Sequence, residues 1–349
     1  MTLKLTEEWD KVFPKNDDVE HKKVTFKNHF GIELAADMYM PKDANGKLPA
    51  VAVAGPYGAV KEQSSGLYAQ EMAKRGFVAI AFDPSYTGES GGEPRYVTSW
   101  DLNVEDFQTA VDFLSNCENV DAEKISIIGV CGWGGVALQT ACLDTRIKAT
   151  ICSTMYDMPR VARNGYFDSE NSAEARQKSK EVINAQRTED FKNGSLKLAG
   201  GVVDPLPEDA PQFLKDYHAY YKTERGYHKR SLNSNDGWAM TGNISLANTT
   251  AFTNSNEIKN AVMIVHGEKA HSRYLGEDAF AAMTGFEYKT HNAPEPYAGN
   301  APLGETVVGN KELLIVEGAS HVDLYDNFEK IPFDKIEKFI RDNIEAQKA

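Results

Sequence analysis

A cysteine stands in the glycine-rich segment Ile127-Ile128-Gly129-Val130-Cys131-Gly132-Trp133-Gly134-Gly135. The apolar residues before Cys131 favour a buried strand, and the Val136-Ala137-Leu138 run after it favours a helix, so a tight strand-to-helix turn is predicted. Such a turn lifts a nucleophile out of the sheet and requires small neighbours. The helix N-terminus favours thiolate over thiol, and the Gly132 amide is predicted to face an oxyanion. A buried structural cysteine is the alternative, but the strand-to-helix position favours a nucleophile.

A histidine follows the last strand-like run, in the segment Glu317-Gly318-Ala319-Ser320-His321-Val322-Asp323. A loop that leaves a late strand can return over the carboxyl edge of a sheet, where catalytic groups collect in open α/β folds. A lone histidine is more often a surface or core residue. Since this one follows a candidate nucleophile in the expected chain order, we predict that His321 is the general base.

A second oxyanion donor is predicted in the segment Ala54-Gly55-Pro56-Tyr57-Gly58, which follows the first central strand. Loops at this position commonly supply the other amide of an oxyanion hole. Proline has no N–H, so the donor would be the amide of Tyr57 or a neighbour. A plain strand-exit turn explains the segment equally well.

Short apolar runs separated by helical patterns are expected to hold these residues in place. They predict strands that are covered on both faces, in a mostly parallel sheet flanked by helices. An antiparallel hairpin is predicted before them, over Lys23–Phe26 and Ile32–Tyr39. The runs are Leu48–Ala54, Phe77–Phe82, Ile125–Val130, Ile147–Cys152, Ala261–Val265 and Leu313–Val316.

The strand–helix alternation stops after Asp157. Residues 158–255 hold no comparable strand run and are too many for a loop, so we predict a mainly helical cap. This cap is inserted into an α/β core formed by residues 1–157 and 256–349. Its Tyr217-His218-Ala219-Tyr220-Tyr221 segment suits either a pocket mouth or a helical core. A second irregular piece, Phe286–Asn310, is predicted to be an ordered surface insertion.

Composition limits the partners of this chain. A net charge of −13 over 349 residues argues against nucleic acid and anionic membranes, which require clustered Lys and Arg. The N-terminus is too polar for a signal peptide, and no run approaches the ~18 apolar residues of a membrane span. Four cysteines without metal-type spacing are typical of free thiols in a reducing compartment, so we expect a cytoplasmic protein. The oligomeric state, including a homo-oligomer, is left open.

Taken together, these segments resemble the α/β-hydrolase superfamily, in particular its dienelactone-hydrolase-like branch, which uses Cys rather than Ser. The matching residues are Gly129-Val130-Cys131-Gly132, the Gly-Ala-Ser-His321 loop and the Phe82–Gly92 loop. The resemblance covers roughly residues 22–157 and 258–345 and implies an α/β-hydrolase fold. The chain departs from the pattern at Trp133, where a small residue is usual, and at Ala270, where the catalytic aspartate is expected.

The acid of the triad must therefore come from another position. Asp157, just beyond the strand run Ile147–Cys152, is the favoured candidate, with Glu268 and Asp278 as alternatives. Trp133 and Arg273 are the predicted substrate contacts. Arg273 would bind a substrate carboxylate, or would pair with nearby acids instead.

The sequence thus predicts a capped hydrolase that forms an acyl-enzyme on Cys131. The substrate would be a small to medium ester, thioester or lactone, and neither a metal nor an organic cofactor is expected. An acyltransferase with the same Cys-His pair is one alternative, and an inactive binding protein is another. Peptidase activity is a weaker option, because expelling an amine asks more of the histidine as an acid.

Overall fold

The computed structural model describes residues 3–288 and 299–346, and the strands of these residues form one sheet. The strand order is β1-β2-β4-β3-β5-β6-β7-β9-β8. The six consecutive strands β4, β3, β5, β6, β7 and β9 of this order are parallel to one another. Strands β1, β2 and β8 pair antiparallel with their neighbours. The bounds are β1 Val19–Lys27, β2 Glu33–Pro41, β3 Leu48–Ala54, β4 Val78–Phe82, β5 Val120–Val130, β6 Ile147–Ser153, β7 Ala261–Gly267, β8 Gly304–Val308 and β9 Lys311–Val316.

The six parallel strands are the six apolar runs of the sequence, and their prediction is confirmed. Their side chains are almost entirely buried because helices cover both faces of the sheet. Ile127 and Ile128 of β5 point into opposite core clusters, since successive side chains of a strand alternate. The predicted leading hairpin is also confirmed, as β1 and β2.

Two layers of helices enclose the sheet. Tyr68 of α1 and Ile336 of α10 pack on one face, whereas Phe107 of α2, Val136 of α3 and Phe280 of α8 pack on the other. The predicted α/β architecture is therefore confirmed. The bounds are α1 Ser64–Lys74, α2 Trp100–Ser115, α3 Gly132–Ala141, α4 Met158–Asn164, α5 Ala173–Asn193, α6 Gln212–Tyr221, α7 Asn243–Ala247, α8 Arg273–Thr284, α9 Asp323–Asp326 and α10 Phe333–Ala346.

The cap segment, residues 158–255, contains α4 to α7 and contributes no strand to the sheet. Within this segment, an isolated antiparallel β-bridge joins Leu198 and Ala239. The predicted insertion Phe286–Asn310 contains β8, which the sequence did not predict, and its residues 289–298 lie outside the described part of the chain. No helix of the described residues is long and apolar enough to cross a membrane.

A buried charge cluster fixes the loop that follows β3. The ammonium group of Lys61 has no exposed surface and lies 2.7 Å from Glu62, 2.8 Å from Asp83 and 2.7 Å from Glu89. Burial alone would lower the pKa of Lys61, but the surrounding carboxylates raise it well above its usual value. Arg230 of the cap reaches the same cluster, 2.7 Å from Glu62. The loop after β3 is thereby tied both to the loop after β4 and to the cap.

Replacing Lys61 by methionine should lower the free energy of unfolding by about 3–5 kcal/mol, because three carboxylates would lose their shared cation inside the protein. Urea denaturation followed by circular dichroism measures this loss. The matched control is Lys338→Met, which removes an exposed pair with Asp342 and should cost less than about 1 kcal/mol. A loss of less than about 1 kcal/mol for Lys61→Met would contradict this account of the cluster.

Candidate active site

Cys131 lies at the predicted strand-to-helix turn, between the last residue of β5 and the first residue of α3. Its backbone has φ 58° and ψ −129°, which a residue with a side chain rarely adopts. Two hydrogen bonds hold this conformation: the Cys131 amide donates to the Ser153 carbonyl at 2.9 Å, and the Tyr156 amide donates to the Cys131 carbonyl at 3.2 Å. The turn therefore aims the thiol away from the sheet and over its carboxyl edge.

Glycines make room for the bulky Trp133 in this turn. A Cβ at Gly129 would lie 2.0 Å from the Trp133 carbonyl oxygen, and one at Gly55 would lie 2.7 Å from the Trp133 Cβ. The indole is 1% exposed and packs edge-on against Phe82 and Phe107 in the core. The prediction that Trp133 contacts substrate is therefore wrong, because α3 turns this side chain toward the sheet.

A cavity of about 420 Å³ opens above the Cys131 thiol. Its walls come from the loop after β3, the loop after β6, the cap and α9, and none of its lining side chains carries a formal charge. The lining is Tyr57, Thr98, Cys131, Tyr156, Met158, Val161, Tyr166, Gly200, Gly201, Val202, Val203, Leu214, Tyr217, Tyr221, Asn233, Trp238, Ala239, Asn243, Leu246 and Tyr325. An aromatic and neutral cavity of this kind suits an uncharged organic group.

Two backbone amides and two phenols surround the Cys131 thiol. Burial raises the pKa of this thiol above its usual value, and the neighbouring Tyr325 phenol, the Gly132 and Tyr57 amides and the Tyr217 phenol offset part of that rise. The direction of this change is opposite to the predicted preference for thiolate, because desolvation of the buried thiol is the largest influence on its pKa. A Cβ at Gly132 would lie 2.7 Å from the Tyr57 Cβ, so glycine lets the two amides converge.

His321 lies in the cluster but does not hydrogen-bond to the thiol. Its Nε2 is 3.0 Å from the Tyr325 hydroxyl, and its Nδ1 is 2.8 Å from Thr154 Oγ1 and 2.6 Å from Ser272 Oγ. With Nε2 accepting from Tyr325, Nδ1 carries the proton and donates it to these hydroxyls. Tyr325 thus stands between His321 and Cys131, in contact with both.

The predicted acid, Asp157, is not the partner of His321. Its carboxylate caps α4 by accepting the Arg160 amide at 2.9 Å. The strand β6 ends at Ser153, and the chain turns at Thr154 with φ 45°, so Thr154 faces the histidine. No carboxylate of the described residues hydrogen-bonds to His321, and a carboxylate-completed triad is therefore not formed.

The remaining predicted residues have structural partners. Glu268 accepts the Gly318 amide at 2.8 Å, and Asp278 forms a surface ion pair at 2.6 Å. Arg273 is buried, pairs with Glu277 at 2.7 Å and does not line the cavity. Arg273 therefore pairs with an acid, which was the alternative to binding a substrate carboxylate.

Three buried histidines lie together behind the cavity. Burial lowers the pKa of His266 to about 3, helped by Arg273, and lowers that of His271 to about 3. Burial and the two neighbouring histidines also hold the pKa of His321 well below its usual value. All three are therefore neutral at physiological pH. No group of His, Cys, Asp or Glu within residues 3–288 and 299–346 is arranged to hold a metal ion.

The tyrosines are the site residues that the sequence reasoning missed. Tyr325 follows His321 by four residues, the spacing that brings two side chains together on one helical turn. Tyr156 lies beside Asp157, the neighbour that was predicted instead. Tyr217 belongs to the cap segment that suited either a pocket mouth or a helical core, and it lines the cavity.

Comparison with known proteins gives a family. The model described as X-Pro dipeptidyl-peptidase (S15 family) matches residues 31–273. The uncharacterized protein PA2218 of Pseudomonas aeruginosa is 50% identical over 99% of this chain and 86% of its own length. The crystal structure of that protein has a TM-score of 0.88 and covers 98% of this chain and 99% of the solved chain.

The names of some more distant relatives state an activity. Thiohydrolase aneE of Aspergillus aculeatus is 34% identical over 39% of this chain and 42% of its own length. Polyketide transferase claH of Penicillium crustosum is 30% identical over 38% of this chain and 43% of its own length. The α/β hydrolase GrgF of Penicillium is 17% identical with a TM-score of 0.70, covering 93% of this chain and 99% of its own. The predicted α/β-hydrolase fold is thereby confirmed.

The buried histidines should make the fold sensitive to acid. Below pH ~6.5 the unfolded chain binds protons that the folded chain cannot, so each histidine removes about 1.4 kcal/mol of stability per pH unit between roughly pH 6 and 4. Neither ring nitrogen of His266 has a hydrogen-bond partner among the described residues, so His266→Leu should reduce this pH slope by about that amount. Urea denaturation between pH 7.5 and 4 measures it.

Ile264→Val in the same strand serves as the control. It should lower the free energy of unfolding by about 1 kcal/mol equally at every pH, because it removes a methylene group and no titrating group. An unchanged slope in His266→Leu would show that His266 is protonated as readily in the folded as in the unfolded chain.

Proposed function

This chain belongs to the X-Pro dipeptidyl-peptidase (S15) family, and we propose that it cleaves a thioester, ester or lactone through an acyl-enzyme on Cys131. One observation carries the proposal. The Cys131 thiol lines an uncharged cavity on a turn of positive φ, beside the Gly132 and Tyr57 amides. These two amides are placed to hold the oxyanion that forms when the sulfur attacks a carbonyl carbon.

His321 is the proposed base, and it acts through Tyr325. As the Cys131 sulfur bonds to the carbonyl carbon, its proton passes to the Tyr325 oxygen, and the Tyr325 proton passes to His321 Nε2. The carbonyl π electrons move to the oxygen, which the two amides stabilise. Collapse of this intermediate breaks the bond to the leaving group, and the imidazolium returns a proton to it. Water then attacks the thioester and frees the acid.

The surroundings of His321 favour good leaving groups. A carboxylate partner normally stabilises the imidazolium, and here the hydroxyls of Thr154 and Ser272 take its place. An amide must have its amine protonated as it departs, whereas a thiolate departs as a much weaker base. The site therefore suits thioesters and activated esters better than peptides.

The uncharged cavity also argues against the dipeptidyl-peptidase activity after which the family is named. A dipeptidyl-peptidase substrate presents an N-terminal ammonium group, which must be paired when it is buried. None of the lining side chains supplies a carboxylate. We therefore propose a neutral acyl group of small to medium size as the ligand of the cavity.

The distant relatives support thioester chemistry. One is named a thiohydrolase and another a polyketide transferase, and the same thioester acyl-enzyme would serve both reactions. Acyl transfer, in which an alcohol, amine or thiol replaces water, is accordingly the second candidate. The resemblance of the Cys131 and His321 segments to the dienelactone-hydrolase-like branch adds lactones to the proposed substrates.

The four cysteines are free, which fits the proposed cytoplasmic location.

Assays with p-nitrophenyl esters, acyl thioesters, lactones and an acyl p-nitroanilide test this proposal. Wild-type enzyme should hydrolyse the thioesters and esters and should be at least about 1,000-fold slower on the anilide. Cys131→Ala and His321→Ala should each lower kcat/KM by at least about 1,000-fold, because they remove the nucleophile and the base. Mass spectrometry should detect an acyl adduct on Cys131.

Cys142→Ala is the matched control. Cys142 is half-buried and packs against the core away from the cavity, so this variant should retain wild-type rates. Circular dichroism checks that each variant is folded. Undiminished hydrolysis by Cys131→Ala would refute the proposed nucleophile. A preference for the anilide would favour peptidase activity over the proposed hydrolysis of thioesters and esters. Faster release of the acyl group when alcohols or thiols are added would favour the transferase.

A further inference from the structure

A second chain of hydrogen bonds reaches the cavity from a different histidine. The Tyr217 hydroxyl is 2.7 Å from the Tyr156 hydroxyl, which in turn hydrogen-bonds to His271 Nε2. Tyr217 comes from α6 of the cap, Tyr156 follows β6, and His271 follows β7. The base His321 takes no part in this chain, so the mechanism described above leaves these three residues without a role.

The packing around His271 fixes the far end of this chain. The imidazole is 1% exposed and stacks on Phe213, with ring centroids 4.5 Å apart and an interplanar angle of 22°. Tyr166 contacts the same ring edge-on at 5.8 Å. A ring that is packed in this way keeps its Nε2 directed at the phenols.

The direction of the protons decides what the chain can do. Neutral imidazole carries one N–H, and we assign it to Nε2 of His271. The Nε2–H then donates to the Tyr156 oxygen, and the Tyr156 hydroxyl donates to the Tyr217 oxygen. The Tyr217 hydroxyl is left to donate into the cavity. Each bond polarises the next, which strengthens the last donor.

The near end of the chain lies beside the reacting atoms. Tyr217 lines the cavity together with Cys131, and its ring centroid is 5.5 Å from that of His321. Its hydroxyl also reaches the Cys131 thiol. The two backbone amides already serve the carbonyl oxygen, so the atom that still lacks a donor is the sulfur or oxygen that leaves.

We propose that Tyr217 is a catalytic residue that donates a hydrogen bond to the departing sulfur or oxygen, and that Tyr156 and His271 position it. The inference rests on the proposed function. As the intermediate collapses, the bond from the carbonyl carbon breaks and its electron pair stays on the leaving atom. The Tyr217 hydroxyl stabilises that pair without giving up its proton, and His321 supplies the proton that the product needs.

A series of acyl donors with one acyl group and leaving thiols of rising pKa tests this role. Tyr217→Phe should lose about 10- to 100-fold in acylation rate with alkyl thiols, because a hydrogen bond to a developing anion is lost. With aryl thiols of low pKa, which spread the negative charge, the loss should be about threefold or less. The plot of log rate against thiol pKa should therefore become steeper than in the wild type.

His271→Leu removes the donor at the end of the chain without touching substrate. It should steepen the same plot, but by less than Tyr217→Phe does. The control is Tyr220→Phe, a buried tyrosine of the same helix that lies outside the cavity lining, which should keep the wild-type slope. Circular dichroism and the retained rates with aryl thiols show that the variants are folded.

An equal loss with every leaving group in Tyr217→Phe would overturn the inference, because it would place the hydroxyl at the nucleophile or in the packing of the cap. An unchanged rate with alkyl thiols would overturn it as well. Both results would leave the proposed function standing as long as turnover depends on Cys131. Turnover that persists in Cys131→Ala would instead refute the proposed function, and this inference with it.

Discussion

The left-handed backbone at Cys131 is the constraint on which the rest of the site depends. A residue with a side chain in such a conformation costs about 1–3 kcal/mol, so the surroundings must enforce it. Ser153 at the end of β6 and Tyr156 in the loop after it do so through hydrogen bonds to Cys131, and Gly129 approaches α3 too closely to carry a side chain. The core therefore holds the proposed nucleophile as part of its own packing.

The loop after β3 is held in place by two sets of contacts. Lys61 ties it to the loop after β4 through buried carboxylates. The cap holds it from above, since Asn233 donates to the Tyr57 carbonyl at 2.8 Å and Ser231 donates to that of Gly58 at 3.1 Å. The cap also supplies Tyr217. The cap segment thus forms part of the cavity wall.

The sequence predicts the parts of this protein that depend on local pattern. The parallel strands were visible because their apolar runs are continuous, whereas β8 was not, since it is a short and half-exposed edge strand of five residues. The positions of Cys131 and His321 follow from the order of strands and loops. Asp157 failed because the turn at Thr154 decides which residue faces His321, and Trp133 failed because its orientation depends on Gly55, far away in the chain. A local sequence pattern does not reveal such packing between residues that are far apart in the chain.

The Lys61 cluster and the surroundings of Cys131 differ in their buried charge. Around Lys61, carboxylates are buried with a cation that compensates them. Around Cys131, the lining carries no formal charge, and His321 is surrounded by hydroxyls. A carboxylate at His321 would have to be desolvated in every resting molecule, at a cost of several kcal/mol without a cation beside it. A thiol nucleophile tolerates a weaker base than a hydroxyl does, so the network can stay neutral until the sulfur attacks. Charge then develops only in the presence of substrate, at positions where amides and phenols are already directed.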